Sequence, residues 1–238
     1  MPVNLGGNEI NSLGVKLLND TQFVKTNLTY LWDAGLTSSY PGSGTSWFEW
    51  VDPSARTGTF TNGPTFSTLG GGSVLFDGSN DYIEFSTFAL GDPPWSVSFW
   101  IRTASATGGL FSHYSGGPVF NGFNVDSGRM QYVYYNNLGW NYAPTSTTSV
   151  NNNTWQYLTY STGASGTSTF TYYLNGTADG TFTPAGNGVS GGAMGSIGSL
   201  WGFNYFNGYI AHVSVHRAQL TTTQILQNYN STRQRFGV

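Results

Sequence analysis

Three groupings of residues in this sequence have the types and spacing to do chemistry. In "FDGSNDYIEF", Phe76 to Phe85, two aspartates flank a Gly-Ser-Asn turn, and Asp77, Ser79 and Asp81 fall on the first, third and fifth ligand positions of a calcium loop. The sixth position, which needs glycine, is Tyr82, and the twelfth, which needs glutamate, is Phe88. An EF-hand is therefore excluded. Asp and Asn side chains bond nearby backbone amides, so the stretch reads as a hairpin turn. In "WFEWVDPS", Glu49 and Asp52 are neighbouring carboxyls. Glycoside hydrolysis needs such a pair held roughly 5–10 Å apart across the scissile bond, but this segment is loop-like and reads as solvated loop charge. In "YIAHVSVHRAQL", His212 and His216 could begin a metal site, yet no third ligand stands nearby. If Ile210, Val213 and Val215 point inward, both histidines face outward, as surface or interface residues. No metal and no cofactor is expected.

The elements that must position these side chains are short. Aromatic and β-branched runs are broken by turn residues such as "PGSG", "TNGP", "GGGS", "YSGGP" and "LNG". In "WSVSFWIRT", Trp95, Val97, Phe99 and Ile101 share one face, and Ser96, Ser98, Trp100 and Arg102 the other. "STFTYYLNG" repeats the alternation, with Phe170, Tyr172 and Leu174 on one face. Such half-buried strands at regular spacing indicate an antiparallel sandwich. One helix is expected, from about Thr222 to about Tyr229. Thr221 and Gln224 form a capping box, Leu220 and Ile225 a hydrophobic staple, and the helix is placed over the end of the sandwich. Residues 1–27 differ from the rest and hold both lysines, Lys16 and Lys25. They read as an N-terminal arm, with a short hairpin turning at Asn19-Asp20, before a domain of residues 28–238.

Composition narrows the function classes. Only 8% of residues are charged, against roughly 25% in an average soluble domain, so solubility rests on Ser, Thr, Asn and Gly. A net charge of −3 argues against nucleic acid as a partner. The absence of cysteine excludes disulfides, thiolate metal sites and a cysteine nucleophile. No run approaches the roughly 20 apolar residues of a membrane span, and the N-terminus lacks a signal-peptide pattern. The chain is expected to be made in a cytoplasm, with no membrane partner.

"GGSVLFDGSNDYIEF", "WSVSFWIRT", "NTWQYLTY" with "YYLNG", and "FNGYIAHVSVHRAQLTTTQILQNY" resemble, in order, the laminin G-like branch of the concanavalin A-like lectin/glucanase superfamily, from about Leu28 to Phe236. The resemblance implies an all-β jelly roll of two packed antiparallel sheets with one short C-terminal helix. Fold alone does not choose among the lectins, glycosidases, adhesion modules and virion proteins that share it. The superfamily's glucanases carry Glu-x-Asp-x-x-Glu or a close variant on one strand, and none of Glu9, Glu49 and Glu84 stands in such a spacing. Where family members often have an acidic pair after the Gly-x-Ile step, this chain has Ala211-His212. "DAGLTSSYPGSGTSW", "TNGPTFS" and "ILQNYNSTRQRFG" look like the versions of this domain found in structural proteins of tailed bacteriophages.

Trp100, Tyr132, Tyr134, Trp140 and Trp201 are the candidates for stacking on sugar rings, Trp100 first because it interrupts a polar strand face. Core or subunit interface is the competing reading of the same rings. None of the eleven carboxylates lies after Asp179, whereas Arg217, Arg233 and Arg235 do. These arginines, with Val15, Leu17, Leu18 and Phe23 of the arm, are the candidates for docking on a partner. Together these features lead us to expect a non-enzymatic virion structural protein, most simply a capsid decoration protein with a lectin-like fold. Expected partners are capsid or other virion proteins, a second copy of the chain in a homo-oligomer, and a surface glycan. The alternative is a carbohydrate-binding adhesion protein of a phage tail or fibre.

Overall fold

The computed structural model describes residues 22–238, except 55, 113–119, 137, 165–168, 186–192 and 201. Strands are numbered in chain order. Sheet I runs β14 (Thr177–Phe182), β13 (Phe170–Leu174), β12 (Trp155–Thr162), β7 (Trp95–Arg102), β16 (Asn207–His216), β5 (Ser73–Asp77) and β4 (Thr65–Ser67), and β1 (Leu28–Asp33) also pairs with β16. Sheet II runs β11 (Gly139–Tyr142), β10 (Arg129–Asn136), β9 (Phe120–Asp126), β8 (Gly108–Ser112), β15 (Ala193–Ile197), β6 (Tyr82–Ala89), β3 (Thr57–Thr61) and β2 (Ser46–Phe48). Neighbouring strands are antiparallel throughout, for example β7 with β12 and β9 with β10. The expected two-sheet jelly roll with one C-terminal helix is the observed fold.

The core between the sheets follows the strand alternation. Trp95, Val97, Phe99 and Ile101 of β7 and Phe170 and Tyr172 of β13 meet Phe111, Phe123 and Tyr132 of sheet II, all buried. Each such side chain removed from water contributes about 1.5–3 kcal/mol. The strand β16 departs from strict alternation. Its register against β7 shifts between Ile210 and His212, and the bulge lets Ile210 and Val213 both enter the core while Ala211 and His212 turn outward.

Outside sheet I, cross-strand register lays out three rows over β16, β7 and β12: His212, Trp100 and Tyr157; Ser214, Ser98 and Thr159; His216, Ser96 and Ser161. All are buried, so these strands are covered on both faces rather than half-buried. The cover is the chain itself. Helix α1 (Thr222–Thr232) starts at Thr221, whose side chain accepts from the Gln224 N–H while Gln224 Oε1 accepts from the Thr221 N–H. Leu220 and Ile225 pack in one cluster, as the staple requires. A 3₁₀ turn, Arg233–Phe236, follows. Tyr229 and Phe236 stack on Trp100, with ring centroids 5.8 and 4.1 Å away. The helix thus lies across the outer face of sheet I, not over the end of the sandwich.

Residues 22–27, assigned above to the arm, form part of that cover. Phe23 is buried with Leu31 and Leu36, and Val24 with Tyr173, Leu220 and Ile225. The Val24 N–H donates to Asn228 Oδ1 at 2.7 Å. Phe23 therefore packs on its own domain, against Leu31 and Leu36 and beside the His212 and His216 rings. Val15, Leu17, Leu18 and the hairpin turn at Asn19-Asp20 lie outside the described residues.

Candidate functional site

The carboxylates and histidines singled out for chemistry serve the fold. Asp77 Oδ1 accepts from the Ser79 N–H at 2.7 Å, and the Asp77 N–H donates to Asp81 Oδ2 at 3.0 Å. The Ser79 amide, with that of Asn80, holds the Asp77 carboxyl below its ordinary range, whereas burial pushes Asp81 up. The turn chemistry is as expected, but the element is not a hairpin. β5 belongs to sheet I and β6 to sheet II, so the turn carries the chain from one sheet to the other. Glu49 is likewise not a solvated loop charge. It is buried, with Oε1 accepting from the Leu31 and Val51 N–H groups at 2.7 and 2.8 Å and Oε2 from the Asp52 N–H at 2.8 Å.

His212 and His216 point out of the sandwich yet are buried beneath the cover, not at the surface. His212 Nδ1 lies 3.1 Å from Asp33 Oδ2, and His216 Nε2 donates to the Val24 carbonyl at 2.8 Å. Phe23 lies edge-on to His212 at 5.7 Å. No cluster of three or more His, Cys, Asp or Glu that could hold a metal occurs among the described residues. Arg235, offered above for docking, is spent internally as the buried partner of Asp33. Arg217 is exposed, with its guanidinium on the Ala89 carbonyl, and Arg233 is exposed beside Tyr229.

The five candidate aromatics separate. Trp100 is buried under the C-terminal cover, its indole N–H donating to Thr232 Oγ1 at 2.9 Å. Tyr132 and Tyr134 are buried on the core side of sheet II. These three cannot meet a sugar, because strand alternation and the unforeseen cover turn them into protein. Trp201 lies outside the described residues. Trp140 is 43% exposed, on the edge strand β11.

Around Trp140 the outer face of sheet II carries further aromatic surface. Register sets Trp140 opposite Tyr135, and Tyr135 opposite Phe120. The indole stands 5.1 Å from the Tyr135 ring and 5.2 Å from Phe120. Two pairs further along, on the same face, Tyr142 lies opposite Val133 and is 61% exposed. Leu200 packs against Phe120 and Val133, and a Cβ on Gly122 would run into it. Amides complete the face: Asn124 Nδ2 donates to Gln131 Oε1 at 3.1 Å. Sequence reasoning missed Tyr135 and Tyr142, although "YVYYNNLGWNY" places both in register with Trp140 once a hairpin is drawn there. Chemically, flat exposed rings beside amides can stack on C–H faces and bond hydroxyls. Glu84, on the same outer face, is flanked in register by Thr59 and Ser196, not by a second carboxyl.

A two-sheet jelly roll, with its own chain laid over one outer face and Trp140 and Tyr142 exposed at the edge of the other, has a lectin-like fold. A laminin G-type family model, described as the concanavalin A-like lectin/glucanases superfamily, matches residues 77–226, and the chain belongs to that superfamily. Among solved structures it is similar to domain 4 of AbnA, an extracellular arabinanase from Geobacillus stearothermophilus, solved in complex with arabinotriose. The likeness is 17% identity and a TM-score of 0.62, covering 87% of this chain and all of that domain. It also resembles the binding domain of Paraclostridial Mosquitocidal Protein 1 (12% identity, TM-score 0.65, 86% of this chain and 52% of that one). The receptor-binding domain of botulinum neurotoxin type G is similar at 14% identity and a TM-score of 0.58, over 86% of this chain and 51% of that one. The chain thus spans about half the length of the toxin domains. No curated protein sequence matches it.

Proposed function

We propose that the protein is a non-enzymatic structural protein of a phage virion, a capsid decoration protein that presents the outer face of sheet II to a surface glycan. The observation that carries the glycan contact is the asymmetry of the two sheets. Sheet I is covered over β16, β7 and β12 by α1, the 3₁₀ turn and Phe23–Val24, while sheet II keeps Trp140 and Tyr142 exposed beside Tyr135. Two similar structures support a glycan as ligand class. One is the arabinanase domain, which holds arabinotriose; the other is from botulinum neurotoxin type C, whose cell entry depends on interaction with two ganglioside molecules. The virion reading is supported by the likeness of "DAGLTSSYPGSGTSW", "TNGPTFS" and "ILQNYNSTRQRFG" to domains of phage structural proteins. The same aromatic face equally suits a tail or fibre adhesin. Labelling the chain and imaging intact particles separates the two: signal spread over the capsid supports decoration, and signal confined to the tail supports the adhesin. Particles without signal would remove both.

A further inference from the structure

The placement of the cations bears on what the Trp140 face can hold. The sequence has 8 lysines and arginines, and all but Lys16 belong to the described residues. Four of them lie on the side of sheet I. Arg102 is in β7 and donates to Asn153 Oδ1 at 3.2 Å. Arg233 and Arg235 belong to the 3₁₀ turn over that sheet, and Lys25 sits 5.8 Å from the Trp50 ring, which packs with Phe23 and Leu31. Two more reach β6: Arg56 lies 5.0 Å from the Phe88 ring, and Arg217 donates to the Ala89 carbonyl. In sheet II, β6 is five strands from β11, about 24 Å at ordinary strand spacing.

Of the described cations, Arg129 alone occupies an outward position of sheet II. It stands opposite Asp126, at the far end of β10 from Tyr135, about 20 Å along the strand. The rows around Trp140 are of another kind: Trp140, Tyr135 and Phe120, then Tyr142, Val133 and Gly122. Such rings present the negative face of their quadrupole, which suits C–H groups and repels an anion laid over it. Taking an anion out of water also costs free energy that a cation, or several hydrogen bonds aimed at it, must restore. The Tyr135 and Tyr142 hydroxyls, by contrast, can both donate to and accept from the uncharged hydroxyls of a sugar.

We propose, on the basis of the glycan reading above, that the Trp140 face selects neutral glycans and rejects a chain that brings a carboxylate or sulfate to the contact. Trp140 and Tyr142 supply the stacking, and the remoteness of the described cations supplies the selectivity.

The test is an array of oligosaccharides in matched pairs, each neutral chain beside the same chain bearing a uronic or sialic acid. It is probed with the full chain at about pH 8, where histidine is uncharged. Neutral members should bind, and their acidic partners about tenfold or more weakly. Tyr142 is exposed, so Tyr142→Lys can place a cation on the face without disturbing the core, and it should narrow that gap. An acidic member bound as tightly as its neutral partner, with both lost in Trp140→Ala, would overturn the selectivity and leave the glycan reading standing. A gap unchanged in Tyr142→Lys would also count against it, since the cations would then not set the preference. No binding to any member would remove the glycan reading and the selectivity together.

Discussion

The guanidinium of Arg235 sits on the carboxylate of Asp33, Nη1 2.6 Å from Oδ1 and 2.8 Å from Oδ2, across 202 residues of chain. Its other nitrogens are also committed, Nε to the Gly70 carbonyl and Nη2 to the Gly72 carbonyl, each at 2.6 Å. The 3₁₀ turn is thereby latched to the end of β1 and to the glycine turn before β5. Burial opposes charge on Asp33, but Arg235 and His212 outweigh it and hold the carboxyl below its ordinary range.

Removing the latch leaves a buried carboxylate without its cation. Arg235→Ala should cost about 3–5 kcal/mol in urea unfolding. Arg235→Lys should recover only part, since an ammonium cannot span Asp33, Gly70 and Gly72 as the planar fork does. Equal stability of the native protein and Arg235→Ala would show that the pair contributes nothing.

Acid should weaken the fold in a defined window. Burial, against the bond to the Val24 carbonyl, lowers the His216 pKa to about 4, compared with about 6.5 in an unfolded chain. Between those values the unfolded chain binds a proton that the folded chain does not, so stability falls as pH drops from about 6.5 towards 4. At about 1.4 kcal/mol per unit the loss approaches ~3 kcal/mol. The contribution of Asp33 persists above about 3.9 and is lost only as pH falls further. Urea midpoints should shift steadily across the window in the native protein and less in His216→Gln. A native midpoint unchanged from neutral pH to the bottom of the window would refute the assignment.

Glu49 tests the non-enzymatic reading and the fold together. In Glu49→Gln an amide NH₂ must stand where a carboxylate oxygen accepts from backbone N–H groups. The expected cost is about 1–3 kcal/mol. Polysaccharide cleavage should stay at background in the native chain and in the variant with Asp52→Asn added. Robust native cleavage abolished by that pair would make these residues catalytic.

The helix cap gives a smaller effect. Thr221→Ala removes the acceptor of the Gln224 N–H and should cost about 1 kcal/mol by denaturant unfolding. An unchanged unfolding free energy would mean that the capping box adds nothing to the seated helix.

What was legible in the sequence was local. The alternation in "WSVSFWIRT" put four residues in the core, and Thr221 with Gln224 marked the helix start, because both signals span only a few residues. What failed depended on partners far along the chain. Trp100 looked exposed because nothing near it announces Tyr229 and Phe236, which cover it. The histidines were rightly turned outward, but Phe23 and Arg235 come from the two ends of the described chain to bury their surroundings. At Asp77 and Asp81 the turn chemistry was readable, yet a turn does not state which sheet receives the next strand. Trp140 remains a candidate because it is 43% exposed on β11, the last strand of sheet II among the described residues, and its neighbours Tyr135 and Tyr142 become visible only with the register of β10 and β11.

The most direct test of the account is glycan binding by the native protein and by Trp140→Ala, measured on an array of neutral and acidic glycans and then by titration of the best ligand. Trp140 is half exposed at the sheet edge, so the variant should still fold, its unfolding midpoint lowered only by the lost ring contacts to Tyr135 and Phe120. The account predicts binding by the native chain, weakened about tenfold or more in the variant, which corresponds to about 1.4 kcal/mol or more of lost stacking. Binding that is undiminished in a folded Trp140→Ala, or no binding to any glycan by the native protein, would contradict it.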